Sequence, residues 1–249
     1  MSKIDTYTHT HLHTSFGSLL DGVGKPIEYM KRAAELGQQA VCVTEHGSMA
    51  SAYEFQRAGD EIGIKTIIGN EMYCVEDRFR QGLTDEEKDG LTATEVRDAN
   101  KQRLKAPHLL LLAETDEGLQ NLYRLNYYAA TEGFYGKPRI DLKLLKKYSK
   151  GLIATTTCVI SNMARYFQNK EVDKMTGFFN DLAGIFGPDS LFIEMHPHDL
   201  DIQLEYNQVL IEMFRKEYEG FRCVLANDVH YVLKEHHETH NFLWRLNTD

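Results

Sequence analysis

The sequence predicts an α/β fold, a parallel sheet or barrel, on three observations. Seven apolar or alternating runs stand at residues 4–13, 40–46, 65–75, 108–114, 151–158, 190–196 and 222–231. Helical patterns fill most of the intervals, and that β-α alternation is the mark of parallel sheets and barrels. Side chains able to bind metal ions recur at the ends of the runs, where parallel barrels gather their chemistry. With 249 residues, 42% of them hydrophobic, the chain can bury a large core.

The first run holds Tyr7-Thr-His-Thr-His-Leu-His-Thr14. Successive side chains of a strand point to opposite faces, so His9, His11 and His13 share one face, at metal-ligand spacing. Asp21 follows in a loop that can swing back over that face. A helix is expected over 26–36, with Pro26 at its start and Gly37 at its end. In the second run Ala40, Cys42, Thr44 and His46 share a face, and His46 closes it. A helix over 48–62 stops at Gly63.

Glu71 shares a face of the third run with Ile67 and Gly69. Residues 76–107 are charged and too long for an ordinary βα connection, which marks them as an excursion at the rim of a site. His108 breaks the rule by beginning its apolar run instead of ending it. A helix opening at Thr115 sets Leu119, Leu122 and Leu125 on one face, and further helices are expected over 141–148, 159–167, 172–186 and 202–218. Cys158 ends the fifth run, and Asp228 and His230 form an i, i+2 pair in the last. His196 and His198 read as loop histidines, and His236 to His240 as a solvated helix.

A net charge of −9 provides no broad basic surface to hold a duplex, so any nucleic-acid contact is expected to be local. The four cysteines, Cys42, Cys74, Cys158 and Cys223, form no C-x-x-C pair, which argues against a zinc ribbon or a disulfide framework and for a reducing compartment. No apolar run approaches the ~18 residues of a membrane span. The expectation is a soluble, cytoplasmic protein with no membrane partner.

With these residues assembled, the chain resembles the PHP (polymerase and histidinol phosphatase) domain of bacterial or phage-type replicative DNA polymerase III alpha subunits. The motifs are His9-Thr-His-Leu-His-Thr with Ser18-Leu-Leu-Asp-Gly22, Thr44-Glu-His-Gly47, Ile67-Ile-Gly-Asn-Glu71, His108-Leu-Leu-Leu-Leu-Ala113, Glu132-Gly-Phe-Tyr-Gly-Lys-Pro-Arg-Ile-Asp141 and Asn227-Asp-Val-His-Tyr231. The Glu132 to Asp141 stretch is the most specific, being a feature of polymerase-type members. The resemblance implies a distorted, TIM-like (β/α)7 barrel over residues 1–249, with up to three metal ions at the carboxyl ends of its strands. The implied ligands are His11, His13, Asp21, His46, Glu71, His108, Cys158, Asp228 and His230. Glu45 stands where the family usually has Asp and is read as a neighbour of the metals. The polymerase palm that follows in alpha subunits is expected to lie outside this sequence.

Some polymerase PHP domains keep every ligand and act as metal-dependent 3′-5′ exonucleases, which makes a proofreading nuclease in DNA replication the leading expectation. Its partners would be a DNA 3′ end and the polymerase body or other replisome subunits. Imidazole, carboxylate and thiolate donors suit two or three ions of zinc, manganese or iron better than magnesium. Glu71 is the best bridging ligand, Asp228 and His230 are candidates for orienting a hydroxide or assisting the leaving group, and Arg139, with Lys137 nearby, for neutralising phosphate. The alternatives are a histidinol-phosphatase-like phosphomonoesterase, a non-catalytic metal-braced scaffold docking other replisome parts, and, more weakly, an amidohydrolase barrel.

Overall fold

The computed structural model describes residues 7–104, 106–218 and 220–248. Among these residues seven strands carry the sheet: β1 (Ala40–Val43), β2 (Lys65–Cys74), β3 (His108–Ala113), β4 (Arg139–Ile140), β5 (Leu152–Thr155), β6 (Leu191–Met195) and β7 (Arg222–Leu225). They lie in the order β1-β2-β3-β5-β6-β7, with β4 on β2. The pairs β1·β2, β2·β4, β5·β6 and β6·β7 are parallel, whereas β3 is antiparallel to both β2 and β5.

The expected all-parallel order is therefore corrected at β3. An antiparallel neighbour needs no crossover, so the chain leaving β2 returns to the sheet at the same end. Residues 76–107, with α3 (Asp85–Lys88) and α4 (Ala93–Leu104), belong to that return. The reversal also explains His108: the start of β3 lies beside the carboxyl ends of β2 and β5.

The first run is corrected as well. Residues 4–6 fall outside the described residues, and 7–13 form an extended segment with single parallel bridges, His9 to Val41 and Leu12 to Val229. Cys42 N donates to His9 O (2.9 Å) and Thr44 N to Leu12 O (2.9 Å), while His13 N donates to Val229 O (2.8 Å) and Val229 N to His11 O (3.0 Å). The segment is thus stitched between β1 and the chain just past β7. It closes the curled sheet into a distorted barrel.

Around the sheet run α1 (Pro26–Glu35), α2 (Ala52–Ile62), α5 (Asp116–Thr131), α6 (Leu142–Lys147), α7 (Asn162–Gln168), α8 (Val172–Ser190) and α9 (Asp201–Glu217), and α10 (His237–Thr248) ends the described chain. Side-chain caps set their starts: Thr115 accepts from Gly118 N (3.1 Å), Asp141 from Leu144 N (2.8 Å) and Ser161 from Ala164 N (3.2 Å). The expected helix at 172–186 is one stretch with a kink at Gly187 before Pro188.

Period-two alternation sorts the strand side chains into two layers. On β3, Leu109 and Leu111 face the helices and pack with Leu122, Leu125, Phe179 and Ile193. Leu110 and Leu112 face the barrel interior with Cys42, Ile67 and Ile153. The same parity turns His108 on β3, Glu71 and Tyr73 on β2, and Glu194 on β6 inward. Burying each large apolar side chain of the outer layer contributes roughly 1.5–3 kcal/mol, and that layer holds the inward groups in place.

Candidate metal centre

All nine residues expected as ligands come together at one end of the barrel. Glu71 lies at their middle. Its Oε1 is 2.9 Å from His108 Nδ1, 3.2 Å from His11 Nε2 and 3.9 Å from Cys158 Sγ; its Oε2 is 2.6 Å from His46 Nδ1 and 3.7 Å from His13 Nε2. Asp228 Oδ1 lies 3.2 Å from Nε2 of both His11 and His13 and 3.5 Å from His230 Nδ1. Asp21 Oδ2 lies 3.1 Å from His46 Nε2 and 3.9 Å from His230 Nε2.

Most of these side chains sit just beyond the ladders. His46, Cys158, Asp228 and His230 follow the last paired residues of β1, β5 and β7, whereas Glu71 lies inside β2. Turning the chain inward there requires unusual backbone: Asp228 (φ 49) and Thr157 (φ 60), next to Cys158, both adopt the left-handed region.

The three expected histidines of the first segment separate. His11 and His13 enter the cluster fully buried, but His9 is outside it, against Tyr7. Arg139 is also corrected. It is 3% exposed, and its Nε and Nη2 donate to Gly133 O (2.9 Å) and Arg78 O (2.8 Å), so its guanidinium is occupied by backbone carbonyls. His196 lies in the loop just past β6, as expected, but its side chain is buried, and His240 stands 5.3 Å from the His230 ring instead of facing only solvent.

Glu194 is the residue that sequence reasoning missed. Its carboxylate accepts from His11 Nδ1 (2.6 Å), His196 Nε2 (2.7 Å) and the Thr155 hydroxyl, while its own N donates to Thr156 Oγ1 (3.1 Å). The signal was a carboxylate two residues before a histidine in an otherwise apolar strand. Glu45, 1% exposed, ties down the first loop, accepting from Thr14 N (3.0 Å), Ser18 Oγ (2.7 Å) and the Thr14 hydroxyl. Ser18 in turn lies 3.1 Å from His13 Nδ1.

The electrostatics follow from this crowding. Burial opposes every charge, yet the Asp228, Glu194 and Glu71 carboxylates hold His11 well above the usual imidazole range. Burial likewise opposes charge on His46, but Glu71 and Asp21 push it up to about 10. His13 goes the other way, down to about 3, through burial and the neighbouring His46 and His230. Against their own burial, Glu71 and Asp228 are held well below the carboxylate range by surrounding histidines, and Glu194 is held down to about 2, chiefly by His11. Burial, then Glu71 and Asp228, push the Cys158 thiol well up.

The donor set fits metal ions. His11 Nε2, His13 Nε2, His46 Nδ1, Glu71 Oε2, Asp21 Oδ1 and Asp228 Oδ1 are buried without a hydrogen-bond partner. His46 Nδ1 and Glu71 Oε2 stand 2.6 Å apart as an ion pair that a bound cation would replace. Buried polar atoms are normally paired, and partnerless atoms converging on one space are what bound cations satisfy. The ligand atoms of His13, His46 and His230, of His11, His13 and Asp228, and of His46, Glu71 and His108 lie within 4.8 Å of one another in each group. A fourth such group, His11, Glu194 and His196, is already joined by hydrogen bonds.

Among known proteins, the PHP domain family matches residues 9–198. DNA polymerase III subunit alpha of Aquifex aeolicus is 38% identical over 246 residues, which is 99% of this chain and 20% of the relative. The subunit of the same name from Thermus aquaticus is 37% identical over 240 residues, 95% of this chain and 18% of its own length. That of Saccharopolyspora erythraea is 33% identical over 251 residues, 96% and 20%. The chain thus spans about one fifth of the length of these relatives. Among the described residues, no helix is long and apolar enough to cross a membrane.

Proposed function

The chain belongs to the PHP domain family, and from that premise we propose that it is a metal-dependent phosphoesterase, the PHP part of a DNA polymerase III alpha-type protein, acting as a 3′-5′ exonuclease that trims a primer end during DNA replication. The observation that carries the reading is the set of partnerless ligand atoms converging around Glu71.

In this reading His11, His13, Asp21, His46, Glu71, His108, Cys158, Asp228 and His230 hold two or three divalent ions. Mixed imidazole, carboxylate and thiolate donors favour zinc, manganese or iron. Such ions, when bound, lower the pKa of a water and stabilise both oxygens of an in-line phosphoryl displacement. Glu71 offers one oxygen to the His11 and His108 side and the other to the His46 side, so it is the ligand to be shared. Glu194 fixes the His11 ring, so that Nε2, on the side of Glu71 and Asp228, is the nitrogen that would hold an ion. Asp21, His46, Asp228 and His230, the more accessible members, face the side from which substrate would arrive. Asp228 and His230 are the residues that would orient a hydroxide or assist the leaving group there.

The test is digestion of a 5′-labelled single-stranded oligodeoxynucleotide with Mn(II), with His11→Ala as the paired control. A ladder shortening from the 3′ end, absent in the variant and after chelation, is expected. Equal trimming by both proteins sinks the proposal, and hydrolysis of p-nitrophenyl phosphate alone favours a phosphomonoesterase.

A further inference from the structure

We infer that Tyr73 and Lys137 together form the anion-recognising pair of this site, taking an oxygen of a substrate phosphate. The inference rests on the phosphoesterase reading and adds the group that recognises the substrate. Its starting point is the edge of β2. One edge pairs with β3; the other takes β1 at residues 65–68, then His46 at Glu71, then β4 at Tyr73 and Cys74. The turn that precedes β4 is thereby brought against the chain that follows His46. Gly47 (φ +58) shows how near: a Cβ there would lie 2.8 Å from Pro138 Cγ and 2.9 Å from Tyr73 Cε2.

That turn is rigid. Tyr135 N donates to Lys137 O (3.1 Å), and the Arg139 guanidinium ties the far end of the turn to Gly133 O. Lys137 leaves it with its Nζ donating to Tyr73 Oη at 2.9 Å and 4.6 Å from the centre of the Tyr73 ring. The same ring stands edge-on to His108, centroids 5.2 Å apart. The ammonium is therefore held one aromatic ring away from the group formed by His46, Glu71 and His108.

Two features make the pair a receptor for an anion. Lys137 has no carboxylate partner among the described residues; its anchor is the Tyr73 hydroxyl. Tyr73 Oη accepts from Lys137 and donates to no described residue, so its hydrogen is available. An unmatched ammonium and a free hydroxyl, side by side at the rim of a carboxylate-rich centre, suit a tetrahedral oxyanion that must be drawn toward that centre. Arg139, the sequence's candidate for the role, instead holds the turn in place.

The chemistry is that of a phosphate, carried either by a nucleic-acid strand or by a small phosphomonoester. Lys137→Ala, Lys137→Arg and Tyr73→Phe would be compared with the unmodified chain in two assays. In the first, Mn(II)-supported hydrolysis of a single-stranded oligodeoxynucleotide and of p-nitrophenyl phosphate is resolved into kcat and KM. In the second, binding of a fluorescein-labelled oligonucleotide in EDTA is followed by anisotropy against salt. Lys137→Ala is expected to raise KM about tenfold with kcat within a factor of about three, Tyr73→Phe to raise it less, and Lys137→Arg to restore it. The slope of log K against log salt should flatten by about 0.7 in Lys137→Ala.

A KM effect on both substrates assigns the pair to phosphate in general, and one confined to the oligonucleotide assigns it to the strand. Unchanged KM for both and an unchanged salt slope overturn the inference. If the unmodified chain cleaves neither substrate, the hydrolase reading fails separately, and the salt slope alone decides the pair.

Discussion

Glu194 Oε1 lies 2.6 Å from Nδ1 of His11, and both side chains are fully enclosed. The contact keeps Nδ1 protonated, so Nε2, on the side of Glu71 and Asp228, is the nitrogen that would give up its proton to hold a metal ion. Removing the acceptor should therefore weaken metal binding without removing a ligand. Glu194→Ala is expected to lower Zn(II) or Mn(II) affinity about 10- to 100-fold by titration calorimetry. Glu194→Gln, which retains an acceptor oxygen, should lose less. Equal affinity in all three proteins would show that Glu194 only fills space.

The metal-free chain should be most stable near pH 6.5. His46 is raised to about 10, so its contribution is complete below its unfolded value, about 6.5, and is lost as pH climbs toward 10. His13 is depressed to about 3, so its unfolded form binds the extra proton and stability falls as pH drops from about 6.5 toward 3. Glu194, held down to about 2, adds a further loss between its unfolded value, about 4.3, and 2. Urea unfolding of chelated protein from pH 3 to 10 tests this. Adding Zn(II) should raise the midpoint most on the alkaline side, where protons compete least for the imidazoles. A chelated protein whose stability climbs steadily to pH 10 contradicts the assignment of His46.

Much of this centre was legible because ligand-type side chains recur at the ends of apolar runs, where His46, Cys158, Asp228 and His230 indeed stand, although period-two spacing alone would have kept His9 with His11 and His13. What escaped was set by neighbours distant in sequence. His108 looked misplaced because nothing in Leu109 to Ala113 reports that β3 runs antiparallel. Glu194 was hidden in an apolar strand, since its value lies in a contact with His11, 183 residues away. Arg139 shows the opposite error. A cation in a specific motif suggests phosphate, but the turn it straps creates carbonyls that claim it first.

Thiol chemistry offers a check on the packing. Cys42, Cys74 and Cys158 are buried and Cys223 is exposed. Burial, with Asp141 nearby, pushes the Cys74 thiol up to about 12, and burial raises Cys42 and Cys158 well above their usual range. The thiolate is the reactive form, so Ellman's reagent at pH 8 should find one fast thiol in the native chain and four in urea. Cys223→Ser should abolish the fast phase. Rapid labelling of Cys158 in the folded protein would mean that the centre is open at β5.

Arg139→Met separates bracing from recognition. The substitution keeps comparable length and removes two charge-assisted bonds to Gly133 O and Arg78 O at a position 3% exposed. Each such bond contributes about 1.5–3 kcal/mol, so a loss of roughly 3–6 kcal/mol is expected in urea unfolding. Because the guanidinium is turned to the backbone, the salt slope for oligonucleotide binding should stay that of the unmodified chain under folded conditions. A variant of normal stability whose binding has become less salt-dependent would return Arg139 to the phosphate and take it away from the turn.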